Sequence, residues 1–149
     1  MIQRFATGVV ALTLCAATSA LVSGNAHADC MDDAAAYHQL SALLLRTIAR
    51  HESGMRANAV NRNTNGTEDI GLMQINSVHL PRLARYGITR AKLFEPCVSA
   101  YVGAWILRDC LDRVGATWAG VGCYNAGAHD KRMRYANRIY QTLLSTQPK

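Results

Sequence analysis

Four cysteines, at positions 30, 97, 110 and 123, limit the ways this chain can fold more than any other residues in it. A fifth, Cys15, sits in an N-terminal segment with the layout of a secretory signal. Arg4 gives the positive start, an Ala-rich apolar run follows from Phe5 to Val22, and Ala26-His27-Ala28 puts small residues where a signal peptidase reads. Several Thr and Ser within the run, and the cleavage site behind it, favour a cleaved signal over a membrane anchor. Neither Cys15 nor Cys30 follows the small residue that lipidation needs. The expectation is therefore a signal peptide over 1–28 and one catalytic-sized domain over 29–149. In an oxidising compartment the four remaining cysteines read as two disulfides. No Cys-x-x-Cys and no His beside a Cys argues for zinc. Three pairings are open, and Cys30–Cys97 with Cys110–Cys123 is favoured. The first bond would staple the N-terminus across most of the domain, a closure contributing about 4 kcal/mol in the loop-entropy model. The second would join neighbouring helices. Spacing alone does not decide among the three.

Composition narrows the partners. Half the residues are apolar, too many for a disordered chain, and the length fits one core. The net charge is +6, and removing residues 1–28 takes away only Arg4. A mild positive balance on an exported protein suits an anionic polymer such as a cell wall, and disfavours nucleic acid. Leu83–Leu93 resembles a helix-turn-helix in outline, yet its second half has no basic recognition helix beyond Arg90 and Lys92, which a solvated surface explains.

The mature chain reads as mostly helical, with one small β excursion. A short helix is expected over Asp32–His38. A second runs from Ser41 to Glu52, with Leu40, Leu43, Leu44 and Ile48 on one face and Gly54 as its left-handed cap. Asn65-Gly66 marks a tight turn, so Val60–Asn63 is expected to pair with Glu68–Ile70. Gly71–Asn76 and Val78–Tyr86 look like short helical pieces broken at Pro81 and Gly87. Pro96 opens a long helix over Cys97–Arg113, with Val98, Tyr101, Val102, Trp105 and Ile106 inward. Further helices are expected around Thr117–Tyr124 and over Lys131–Leu144, the latter bearing Met133, Ala136, Tyr140 and Leu144. Trp105 and Trp118 read as core residues and His51 as an exposed one.

Glu52 stands out on position alone. It follows Leu40, Leu44 and Ile48 at four-residue steps, so its carboxylate continues an apolar stripe. It also lies in the last helical turn, where the dipole disfavours negative charge. Both effects raise its pKa, and a protonated carboxyl near neutrality is what general-acid catalysis needs. The bland alternative is a Glu that curls to solvent or pairs with Arg50 or Arg56. Downstream, residues 61–76 gather amides, hydroxyls and two carboxylates, a set suited to sugar hydroxyls and acetamides. Turn chemistry accounts for Thr64, Asn65 and Gly66, but less well for Gln74 and Asn76 among apolar neighbours.

Glu52-Ser53-Gly54, Gly71-Leu72-Met73-Gln74-Ile75-Asn76 and Ala119-Gly120…Tyr124-Asn125-Ala126-Gly127 resemble, in order and spacing, the three signature segments of the soluble lytic transglycosylases. The resemblance covers nearly all of 29–149. It implies an α+β, mostly helical, lysozyme-like fold, and Glu52 as the catalytic acid/base. It implies that Gln74, Tyr124 and Asn125 line the sugar groove, with Met73 packed beneath the substrate. Ser53 beside Glu52, and Asn63 and Asn76, which with Asn61 are placed to orient Asp69, complete the expected substrate-binding set. The expected reaction cleaves the β-1,4 bond between N-acetylmuramic acid and N-acetylglucosamine and leaves a 1,6-anhydro end, with no metal or other cofactor. The small form with a Cys30…Pro96-Cys97 pair looks like members that accompany type III or type IV secretion machines and pili. A periplasmic monomer acting on peptidoglycan strands, with a secretion or pilus component as a further partner, follows from it.

Asp69 adds a second carboxylate. Residues 61–76 also resemble the β-region of animal C-type lysozymes, whose catalytic Glu and Asp have this separation; lysozyme is the standard case of two carboxylates in two roles. Asp69 as a stabiliser of the cationic transition state, or as the partner in hydrolysis, stands beside its reading as a hairpin residue. A wall-binding scaffold without catalysis is the remaining class, and Glu52 on an apolar stripe argues against it. A zinc-protease motif fails because Met55 stands where the second His is required.

Overall fold

The computed structural model describes residues 26–146. Residues 1–25, most of the expected export segment, lie outside the described residues. Helix α4 (Pro96–Val114) organises the domain, with Ala100, Val102, Ala104 and Leu107 buried along it. Pro96 stands in its first turn, where a missing N–H costs nothing. Around α4 pack α1 (Ala26–Tyr37), α5 (Trp118–Gly122) and a three-stranded sheet. Helix α2 (Ala42–Ser53) lies against both α1 and α6 (His129–Thr146). The mostly helical fold with a small antiparallel sheet is the lysozyme-like architecture expected from the sequence.

Local chemistry sets the ends of α2. Ser41 accepts a hydrogen bond from the Leu44 N–H at 3.3 Å, and Gly54 adopts the left-handed cap at φ 61°. The expected face is covered at three of its four positions: Ile48 is buried, Leu40 and Leu44 are half-buried against the core, and Leu43 is 47% exposed. Leu45, Thr47 and Ala49 are buried beside Ile48. The four apolar residues 42–45 leave the edge of the stripe to be fixed by its neighbours.

Strands β1 (Val60–Arg62), β2 (Glu68–Ile70) and β3 (Ile75–Asn76) run antiparallel in that order. The hairpin falls where the Asn65-Gly66 turn put it. The expected helical piece over Gly71–Asn76 is instead a tight turn leading into β3. Gly71 has φ 75°, and a Cβ there would run into the Leu93 carbonyl oxygen. The chain then passes through a 3-10 turn (Ser77–His79) into α3 (Leu80–Ala84), with Pro81 in its first turn, and a second 3-10 turn (Ala91–Phe94). A bidentate ion pair from Arg90 to Glu68, at 2.5 and 2.8 Å, ties this stretch back to β2.

The inward face expected of α4 holds except at Tyr101, which is exposed: Val102 is buried, and Val98, Trp105 and Ile106 are half-buried and packed against the core. Trp105 lies beneath the Arg82 guanidinium, 3.8 Å from its ring centre. In α6 the buried residues are Tyr135, Ala136 and Ile139, while Met133, Tyr140 and Leu144 face out. Trp118, expected in the core, is 39% exposed and meets Tyr140 edge to face. Disulfides join Cys30 to Cys97 and Cys110 to Cys123, with Cα–Cα distances of 5.1 and 5.6 Å.

Candidate active site

Glu52 emerges from the last turn of α2 into a groove between the sheet and the α4–α5 side. Two adjoining cavities of about 430 and 630 Å³ meet over Glu52 and Asp69 and share Asn63, Gln74 and Asn125. Burial is the largest influence on the Glu52 carboxyl and drives its pKa from the ordinary 4.5 up to about 7. The hydrogen bond from Tyr135 pulls it down, the Asp69 charge pushes it up, and Arg138 pulls it down in turn. At neutrality the group is divided between acid and base, the condition required for both halves of an acid/base cycle.

Tyr135 is the residue that sequence reasoning missed. Its hydroxyl, projecting from α6, donates to Glu52 Oε1. Burial and the Glu52 charge both push the Tyr135 phenol far above its ordinary range, so it stays a donor. His51, expected to be exposed, is half-buried with its ring edge-on to Tyr135 at 5.6 Å. No local signal in the sequence marked it; once packed into the core, its phenol requires a polar partner, and Glu52 is that partner.

Alternation along β2 places Asp69 opposite to its neighbour Ile70, which enters the core against Ile75 of β3. Asp69 Oδ1 accepts from Asn76 Nδ2 at 2.7 Å, and Oδ2 accepts from Asn63 Nδ2 at 3.0 Å. Both amides also donate to Thr67 Oγ1, at 3.0 and 3.2 Å. The carboxylate is thus held by two oriented amides and faces the same groove as Glu52.

The turn after Gly71 puts Gln74 at φ 47°, an unusual left-handed position for a side chain of this size. Its Nε2 donates to the Gly71 and Ala59 carbonyls at 2.9 and 3.3 Å, which fixes the amide along the groove wall. Tyr124 donates from its hydroxyl to the Met73 carbonyl at 2.8 Å, tying the end of α5 to the same turn. Asn125 follows it on the groove edge.

Seven of the sequence-derived site residues therefore meet in one groove: Glu52, Asp69, Asn63, Gln74, Asn76, Tyr124 and Asn125. The other two do not line it. Ser53 is buried and donates to the Leu72 carbonyl at 2.7 Å, which locks the end of α2 onto the Gly71–Gln74 turn. Met73 is fully buried against Gly103 of α4, so it supports the turn from behind.

A family profile described as the transglycosylase SLT domain matches residues 29–141. The chain belongs to the SLT transglycosylase family. That match spans all three segments meeting at the groove, from Glu52 through Gln74 to Asn125. Among the relatives of this chain, Invasion protein IagB of Salmonella typhimurium is 43% identical over 122 residues, covering 78% of this chain and 76% of its own. Protein IpgF of Shigella flexneri is 40% identical over 122 residues, covering 78% and 80%. The X polypeptide of Escherichia coli is 38% identical over 120 residues, covering 76% and 71%.

Proposed function

We propose that this SLT-family chain is an exported lytic transglycosylase that cuts the β-1,4 bond between N-acetylmuramic acid and N-acetylglucosamine in peptidoglycan. The observation that carries the reading is Glu52, half-buried at the centre of an amide-lined groove with a pKa raised to about 7. In the first half-reaction Glu52 gives its proton to the glycosidic oxygen as the bond to C1 breaks. The muramic acetamide and the Asp69 carboxylate stabilise the positive charge at C1. Glu52, now a carboxylate held by Tyr135, then takes the proton of the muramic 6-hydroxyl, whose oxygen bonds to C1. No water is consumed, and the products are a new 4-hydroxyl end and a 1,6-anhydro end. Gln74, Tyr124, Asn125, Asn63 and Asn76 line the path of the strand; Ser53 and Met73 hold the turn that carries Gln74.

Hydrolysis of the same bond is the second reading, and the arrangement of Asp69 favours it. Two oriented amides hold that carboxylate in the groove that Glu52 also lines, so a second carboxylate is at hand for a two-carboxylate mechanism. The deciding experiment is mass spectrometry of products from purified sacculi with wild type, Glu52→Gln and Asp69→Asn. Transglycosylation gives fragments lighter by one water than hydrolytic ones, and Glu52→Gln abolishes them while wall binding persists. Reducing-end products that vanish with either substitution would establish the hydrolase. Wall binding with no product from wild type would leave only a scaffold.

The cellular part of the proposal is removal of residues 1–28 on export and action in the periplasm. Two disulfides among the described residues suit an oxidising compartment. The name of the Salmonella relative, an invasion protein, supports a role in opening the wall for a secretion machine or pilus.

A further inference from the structure

Arg56 lines the larger of the two cavities, on the side of Glu52 towards Asn58 and Asn61. Its backbone N–H donates to Ser53 Oγ at 3.1 Å, and its side-chain Nε donates to the Ser53 carbonyl at 2.8 Å. These two bonds anchor the guanidinium beside the end of α2 and leave its Nη donors outside that anchor. Among the described residues no carboxylate forms an ion pair with Arg56. The two acids of the groove are already engaged: Asp69 by Asn63 and Asn76, and Glu52 by Tyr135. Arg56 also does not figure among the charges acting on Glu52. The rest of the groove wall is mostly amide and apolar, and burial lowers the pKa of its histidine, His79. Arg56 is thus the one permanent cation among the residues lining the two cavities, pre-oriented and without an anion among the described residues.

We propose that Arg56 is a specificity-determining residue that binds a carboxylate carried by the substituent of a muramic residue in the groove. The guanidinium fork matches a carboxylate in two parallel bonds, whereas the sugar backbone itself carries no charge. A carboxylate has two sources on a glycan strand: the stem peptide where it is attached, or the free lactyl group where the peptide has been removed. The inference rests on the wall-cleaving reading above.

The test measures binding of full-length Glu52→Gln protein, with and without Arg56→Gln, to three ligands. These are peptide-bearing sacculi, strands stripped of peptide by an amidase, and chitohexaose, which has no muramic carboxylate. Loss of a charge-assisted bidentate contact is expected to weaken muramic ligands by about tenfold and leave chitohexaose unchanged. A loss on sacculi identifies the stem-peptide carboxylate, and a loss confined to stripped strands identifies the lactyl one. Equal weakening on all three ligands, or none on any, overturns the assignment. Wild type and Arg56→Gln are assayed for cleavage in parallel. If wild type cuts sacculi while Arg56→Gln leaves binding untouched, only the role of Arg56 falls. If wild type neither binds nor cuts, the wall reading falls and takes this inference with it.

Discussion

Glu52 is held at a thermodynamic cost, and that cost has a pH signature. Its pKa is about 7 in the folded chain against an ordinary 4.5, so the folded protein holds this proton more tightly than the unfolded chain does. The contribution to stability is full below about 4.5 and is lost as pH rises through about 7, amounting to about 3 kcal/mol. Glu52→Gln carries no such titration. Urea denaturation should find it more stable than wild type at pH 8 by roughly 2–3 kcal/mol, with the gap closing towards pH 5. Tyr135 acts in the opposite sense, because its hydrogen bond favours the charged carboxylate. Tyr135→Phe should raise the Glu52 pKa, moving the alkaline limb of the kcat/KM profile to higher pH. The rate at the optimum should fall by about tenfold through loss of one hydrogen bond to a charged group. A merely structural role for Tyr135 would lower the rate without moving the limb. Glu52 was legible because its four-residue spacing from Ile48 and Leu44 is a local property. Tyr135 was not, because its partner lies 83 residues away in sequence.

At the scale of single elements, the turn from Gly71 to Gln74 matters most to the site. It delivers Gln74 to the groove, presents the Met73 carbonyl to Tyr124, and gives Ser53 its acceptor at Leu72. Gly71→Ala would place a methyl group against the Leu93 carbonyl at a backbone angle that disfavours any side chain. The expected loss is more than about 2 kcal/mol of stability, read by thermal denaturation, with cleavage falling more steeply than the fraction folded. The sequence pattern suggested a helix here because Leu72, Met73 and Ile75 are apolar at mixed spacing. All three are buried, but around a turn and into β3, where Ile75 pairs with Ile70. A short apolar run carries no period long enough to separate the two conformations. The hairpin was legible for the opposite reason, since Asn65-Gly66 encodes its own geometry. The covered face of α6 was not legible, for a third reason. Tyr140 and Leu144 are apolar enough for a core but lie on the outer side, and a helix with apolar residues on several faces does not state which one is covered.

Across the whole molecule the two disulfides divide the labour between holding the domain together and holding the groove. Cys30–Cys97 spans 67 residues and fastens α1 to the start of α4, and neither cysteine lines the groove. Cys110–Cys123 spans 13 residues and fastens α4 to the end of α5, immediately before Tyr124 and Asn125. Cys123 itself lines the groove. In the loop-entropy model the longer closure stabilises by about 4 kcal/mol and the shorter by about 3 kcal/mol. Their effects on function should run the other way. Replacing Cys30 and Cys97 with Ser should lower the unfolding midpoint more and leave kcat/KM close to wild type at temperatures where the protein stays folded. Replacing Cys110 and Cys123 should lower the midpoint less but release the Tyr124–Met73 tie, widening the groove edge and raising KM for the strand. Denaturation and cleavage kinetics on the two double variants decide it. If both lose activity only in proportion to the fraction unfolded, the shorter bond has no part in shaping the groove, and the packing of Gly122 against the Arg132 backbone is sufficient to hold Tyr124 in place.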